Sequence, residues 1–203
     1  MQVFFSDRDY ALYRELMSAS CCKLGVEVWA YCLMPNHVHL IVKPGSEEGL
    51  RRAIGDAHRR YSRHVNLREG WRGHLFQGRF ASFVMDERYL LAAARYVELN
   101  PVRAGLADKA WGWPWSSAKA HRRGKDDTLA TVKPLLDLVD DWDEFVSTSA
   151  SEEEYNAIRR HERTGRPLGG EEFLRSIERT LKRMLHPEKP GPKPRNQDAR
   201  RGN

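Results

Sequence analysis

Leu12, Tyr13, Leu16, Met17 and Ser20 recur at three- and four-residue steps behind Ser6 and Asp9, a pair that resembles a capping box, and Gly25 stops the run. The pattern predicts a helix over 7–23. Val26 to Leu33 is rich in Val, Trp and Tyr; Met34-Pro35-Asn36 interrupts it, and His37 to Lys43 alternates before Pro44-Gly45. This reads as a β-hairpin with strands near 26–33 and 37–43. Between Glu47 and Asn66 the apolar set Leu50, Ile54, Ala57, Tyr61 and Val65 steps helically, leaving Arg51, Arg52, Arg59, Arg60 and Arg63 to form a basic side. Gly70, Gly73 and Gly78 mark a loop, 80–85 has the character of a third strand, and Asp86 starts a helix. Asn100-Pro101 is expected to end that helix at about Leu99, because a residue before proline is pushed out of the helical region.

Beyond Trp111-Gly112-Trp113-Pro114-Trp115 shorter helical patterns lie around 133–146, 151–162 and 171–185, with Gly-Arg-Pro-Leu-Gly-Gly at 165–170. The expected organisation is a core over 1–121, an accessory helical extension over 122–186, and a flexible basic tail over 187–203 whose Pro, Gly and Lys/Arg content leaves little to bury. A length of 203 residues suits one principal core, and 40% apolar residues suffice to fill it. No run reaches the roughly 18 apolar residues of a membrane span, and no signal pattern opens the chain, so a cytoplasmic protein with no membrane partner is expected. Lys+Arg 34 against Asp+Glu 28 gives +6, which favours a polyanionic partner. Cys21, Cys22 and Cys32 are odd in number, and the first two are adjacent, so they read as reduced thiols.

Alternate residues of a strand share a face, so His37 and His39 project together while Val38, Leu40 and Val42 point the other way. Two imidazoles so placed are able to converge on one ion. Tyr96 and Asn100, four apart, share one face of the following helix and aim a phenol and an amide in one direction. Taken singly, each pair is more commonly ordinary surface or core packing.

Three strings occur together in the order characteristic of one family: Trp29-Ala30-Tyr31-Cys32-Leu33-Met34-Pro35-Asn36-His37-Val38-His39-Leu40, then Gln77-Gly78-Arg79-Phe80, then Arg95-Tyr96-Val97-Glu98-Leu99-Asn100-Pro101-Val102-Arg103-Ala104-Gly105-Leu106. With them the chain closely resembles the REP-associated tyrosine transposases, relatives of the insertion-sequence single-tyrosine transposases, over roughly residues 3–120.

The resemblance implies an α+β fold: a ferredoxin-like HUH endonuclease sheet with helices on one face, followed by the helical extension. It implies Tyr96 as the nucleophile, and His37, His39 and Asn100 as ligands of a divalent Mg²⁺ or Mn²⁺. The reaction would cleave and rejoin DNA through a 5′-phosphotyrosine, a metal-dependent endonuclease and strand-transfer chemistry. Single-stranded or hairpin DNA would be the partner, a homodimer is allowed, and the location would be cytoplasmic and nucleoid-associated. Arg51, Arg52, Arg59, Arg60, Arg63, Arg72, Arg79 and Arg103 would meet phosphates, while Trp71, Phe76 or Trp115 would be available to stack on bases. Family members carry a further strand upstream of the segment matching Val3-Phe4-Phe5, beside the histidine strand. Its lack in this chain leads to the expectation of an open strand edge and weak activity. The alternative function is a catalytically impaired DNA-binding derivative.

Overall fold

The computed structural model describes residues 2–78, 80–148 and 151–185. Helix α1 (Asp7–Leu24) ends at Gly25, whose φ of 64° is the left-handed conformation that a side chain disfavours. The hairpin follows: β1 (Val26–Met34) pairs antiparallel with β2 (His37–Pro44), and Met34 lies opposite His37, so Pro35-Asn36 is the whole turn. Helix α2 spans Gly49–Glu69 and α3 spans Glu87–Arg103. A 3₁₀ turn (Ala110–Gly112) leads to α4 (Ala118–Arg123), α5 (Lys133–Leu136), α6 (Trp142–Ser147), α7 (Glu152–Thr164) and α8 (Glu171–Leu181).

The class is α+β, and helices cover both faces of the hairpin where one covered face was expected. Strand β1 explains why. A bulge between Val28 and Ala30 inserts Trp29, and the residues after it are buried on both sides. Val28, Tyr31 and Leu33 join Tyr13, Met17, Ala57 and Tyr61 in the core under α1 and α2. Ala30, Cys32, Met34 and Ile41 join Ala93, Tyr96 and Val97 of α3 in a second core. A strand that is apolar on both faces needs cover on both, and each fully buried large side chain contributes about 1.5–3 kcal/mol.

Two further expectations are corrected. The 80–85 segment is not a strand of the sheet, which has two strands among the described residues. Phe80 packs against the first core while Phe83 and Met85 pack against the second, so this segment passes from one core to the other and cannot lie flat in a ladder. Its polar backbone pairs instead with Leu168, whose N–H donates to Val84 O at 2.8 Å while Asp86 N–H donates to Leu168 O at 3.1 Å. Helix α3 does not stop at Leu99 but runs through Pro101 to Arg103. Proline forfeits one donor, but it sits in the last turn, where Ala104 N–H reaches Asn100 O and Leu106 N–H reaches Pro101 O. Asp86 caps the other end, its carboxylate accepting from Tyr89 N–H at 3.0 Å.

Helix α3 is pinned by a buried polar group. Glu98, 1% exposed, accepts from Trp142 Nε1–H at 2.9 Å and has its other oxygen 2.6 Å from His121 Nδ1, while the His121 ring stacks on Trp142. The chain separates into two compact units, Met1–Gly169 and Gly170–Asn203. Helices α4 to α7 belong to the first, and the described part of the second holds α8. The expected tail over 187–203 lies outside the described residues. All three cysteines are free, Cys21 and Cys32 buried and Cys22 exposed. No helix among the described residues is long and apolar enough to cross a membrane.

Candidate active site

The two histidines owe their common direction to the pleat of β2. His37, His39 and Ile41 face α3, while Val38, Leu40 and Val42 pack into the first core. The histidine Nε2 atoms stand 3.0 Å apart. Each ring is anchored at its other nitrogen: His37 Nδ1 lies 2.6 Å from Asn36 Oδ1, and His39 Nδ1 lies 3.4 Å from Glu162 Oε1. With the Nδ1 protons turned to those oxygens, both Nε2 atoms carry lone pairs and face each other. A cation or proton between them relieves that repulsion. Burial, then the charge of His39, push His37 down to about 4 against the opposing pull of Glu162, so it is neutral at pH 7 and able to act as a ligand.

Helix α3 brings the other two residues. Asn100 Nδ2 lies 3.1 Å from His39 Nε2, and turning its amide over would offer Oδ1 at the same place. Two ligands at right angles around an ion, each bonded at about 2.1 Å, stand about 3 Å apart, so the spacing of these atoms fits a small divalent ion. Among the described residues no group of three or more His, Cys, Asp or Glu side chains is placed to hold a metal, and the candidate ligand set is instead two imidazoles and one amide. Tyr96, one turn before Asn100, is 7% exposed and lies edge-on to His39 with ring centroids 5.4 Å apart. Burial, then Glu162, push its phenol above the usual value, and hydrogen bonding from Arg159 and the charges of Arg159 and Arg103 pull it back. Tyr96, His37, His39 and Asn100 therefore meet within a single chain.

The arginines are distributed differently. Arg51, Arg52, Arg59, Arg60 and Arg63 are exposed on α2, which covers the hairpin face opposite the histidines. Arg51 pairs with Glu48, while Arg59 and Arg60 pair with Asp56. A groove of about 500 Å³ lies beside them, lined by Arg59, Arg63, Trp71 and Phe76 among others, and it is separate from the histidine site. Arg72 is exposed in the adjoining loop, and Arg79 lies outside the described residues. Trp71 is 47% exposed, whereas Phe76 stacks on His58 and Trp115 stacks on Tyr10 within the core. Only Arg103 of the described arginines in this set approaches Tyr96, its guanidinium 5.7 Å from the ring centre.

Sequence reasoning missed Asn36, Arg159 and Glu162. Asn36 had a local signal, since it adjoins His37 in a two-residue turn. Glu162 and Arg159 had none, because only the packing of α7 on α3 brings them there.

Residues 2–100 match a family model described as Transposase IS200 like, a span that contains all four residues of the site. A Haemophilus influenzae protein described as a REP-associated tyrosine transposase is 24% identical over 141 residues, covering 64% of this chain and 74% of that protein. No solved structure gives a significant match. The family resemblance read from the motifs is borne out.

Proposed function

We propose that this chain, whose residues 2–100 belong to the IS200-like transposase family, cleaves and rejoins single-stranded DNA at hairpin-forming repeats through a covalent 5′-phosphotyrosine on Tyr96. Membership of a transposase family supports a DNA transposase role. The observation that carries the finer reading is the meeting of Tyr96, Asn100 and the paired Nε2 atoms of His37 and His39 in one chain.

The nucleophile is the Tyr96 oxygen. Its attack forms an O–P bond and breaks the P–O3′ bond; the phenol proton leaves, and the departing 3′-oxygen takes one up. The phosphodiester energy is kept in the tyrosine ester, so a 3′-hydroxyl is able to reverse the step and join a new strand. His37 and His39 are held with lone pairs forward by Asn36 and Glu162, and Asn100 supplies the third donor. A divalent Mg²⁺ or Mn²⁺ held there would supply positive charge at a non-bridging phosphate oxygen. The arginines of α2 and the adjoining loop would bind flanking phosphates, away from the chemistry.

The second reading, a DNA-binding derivative that does not cleave, draws on the burial of Tyr96 beneath α7. Incubation with Mn²⁺ and single-stranded DNA from either side of the gene separates the two. A denaturant-resistant protein–DNA adduct supports cleavage, and binding without an adduct supports the derivative.

A further inference from the structure

Helix α7 lies beyond the family match and carries Tyr155, Arg159 and Glu162 at positions i, i+4 and i+7, which is one face of a helix. That face turns toward the histidine and tyrosine side chains. Glu162 Oε1 is 3.4 Å from His39 Nδ1. The Tyr155 ring is 5.7 Å from the Tyr96 ring, and the Arg103 guanidinium sits over both, 4.0 Å from the centre of Tyr155 and 5.7 Å from that of Tyr96. Arg159 lies on this same face, one turn after Tyr155 and one turn before Glu162.

We propose that this face of α7 is the second half of the active site, in which Glu162 is a positioning residue that fixes His39 and Arg159, together with Arg103, anchors the scissile phosphodiester beside the Tyr96 hydroxyl. The inference rests on the reading of Tyr96 as nucleophile. Its chemical logic is a division of labour. A phosphate approached by the Tyr96 oxygen must lie within reach of that oxygen, and Arg103, with its guanidinium 5.7 Å from the centre of the Tyr96 ring, and Arg159, on the facing side of α7, are the cations nearest in position to receive it. The planar fork of an arginine matches two phosphate oxygens at once, and charge growing on them as the O–P bond forms and the P–O3′ bond breaks is offset where it appears. Glu162 acts one bond further out. A carboxylate accepting the Nδ1 proton of His39 fixes the tautomer and leaves Nε2 as the donor atom, and outer partners of this kind are worth about 10- to 100-fold in metal affinity.

Two measurements on the full chain test this. Mn²⁺ affinity, followed by electron paramagnetic resonance without DNA, should fall about 10- to 100-fold in Glu162→Gln and stay unchanged in Glu153→Gln, an exposed position on the same helix. Equal affinity in Glu162→Gln and wild type, or no Mn²⁺ binding by the wild type, would overturn the role given to Glu162. With single-stranded DNA from either side of the gene, Arg159→Ala should form the covalent adduct about 100-fold more slowly, with DNA affinity within about threefold and partial recovery in Arg159→Lys. An unchanged or faster rate in Arg159→Ala would show α7 to be a cover rather than a participant. Tyr96→Phe keeps the two levels distinguishable. If the wild type forms an adduct that Tyr96→Phe does not, yet the α7 variants behave as wild type, the inference falls and the transposase reading stands. If the wild type forms none, that reading and the role of Arg159 fall together, while the Mn²⁺ titration still decides Glu162.

Discussion

The Tyr96 ring meets the His39 imidazole edge-on, centroids 5.4 Å apart. The proposed nucleophile on α3 and a proposed ligand on β2 are thus neighbours, and the contact depends on the side of the hairpin that each occupies. Placing them on one face requires the alternation of β2, the two-residue turn at Pro35-Asn36, and the burial of α3 against β1.

His37→Ala and His39→Ala should each abolish Mn²⁺ binding and DNA cleavage. His37 belongs to neither apolar core, so its variant should keep the far-ultraviolet dichroism and melting behaviour of the wild type. Metal titration beside thermal denaturation checks this, and retained Mn²⁺ affinity in both variants would contradict the ligand assignment.

Arg52→Ala and Arg63→Ala should each weaken single-stranded DNA binding and lower the slope of log affinity against log salt by about 0.7 for each phosphate that is no longer neutralised. Neither has a carboxylate within ion-pair distance among the described residues, unlike Arg51, Arg59 and Arg60. Those exposed pairs are worth only about 0.2–1 kcal/mol and are easily exchanged for phosphate. Fluorescence anisotropy over a salt series measures the slope; an unchanged slope would make the basic side of α2 a merely solvated face.

Stability should fall as the pH drops from about 6.5 toward about 4. Burial pushes His58 down to about 4, where its ring stacks on Phe76 and its Nε2 lies 2.9 Å from the Tyr13 hydroxyl. Above about 6.5 neither folded nor unfolded chain protonates this histidine. Between about 6.5 and 4 the unfolded chain binds a proton that the fold refuses, which favours unfolding, and below 4 the effect levels off. Urea denaturation at pH 7 and pH 5 should show a smaller loss in His58→Phe than in the wild type.

Glu98→Ala should cost about 3–5 kcal/mol, because it strands the Trp142 donor and the His121 ring in the interior beside α3. Denaturant titration gives the value, and a cost below about 1 kcal/mol would show that this buried group does not hold α3.

Much of this arrangement was legible along the chain. His-x-His in an alternating strand, and Tyr and Asn one helical turn apart, are local patterns that a fixed period makes readable. Asp86 announced the start of α3 by its capping chemistry. What stayed hidden depends on tertiary packing. The bulge at Trp29 changes which residues of β1 face α3, and no residue type marks it. Residues 80–85 have strand-like composition, but their apolar side chains serve two separate cores. Pro101 carries the usual stop signal, yet the turn beyond it closes with other donors. Glu162 lies 62 positions beyond Asn100, and nothing near it in sequence links it to His39.

The most direct test is mass spectrometry of the denatured, protease-digested chain after incubation with Mn²⁺ and single-stranded DNA from either side of the gene. The expected result is a nucleotide esterified through its 5′-phosphate to the peptide containing Tyr96, absent from Tyr96→Phe, whose DNA affinity should stay within about twofold of the wild type because only the attacking oxygen is removed. An adduct that persists in Tyr96→Phe, or that maps to Tyr89 or any other residue, would contradict the assignment of the nucleophile.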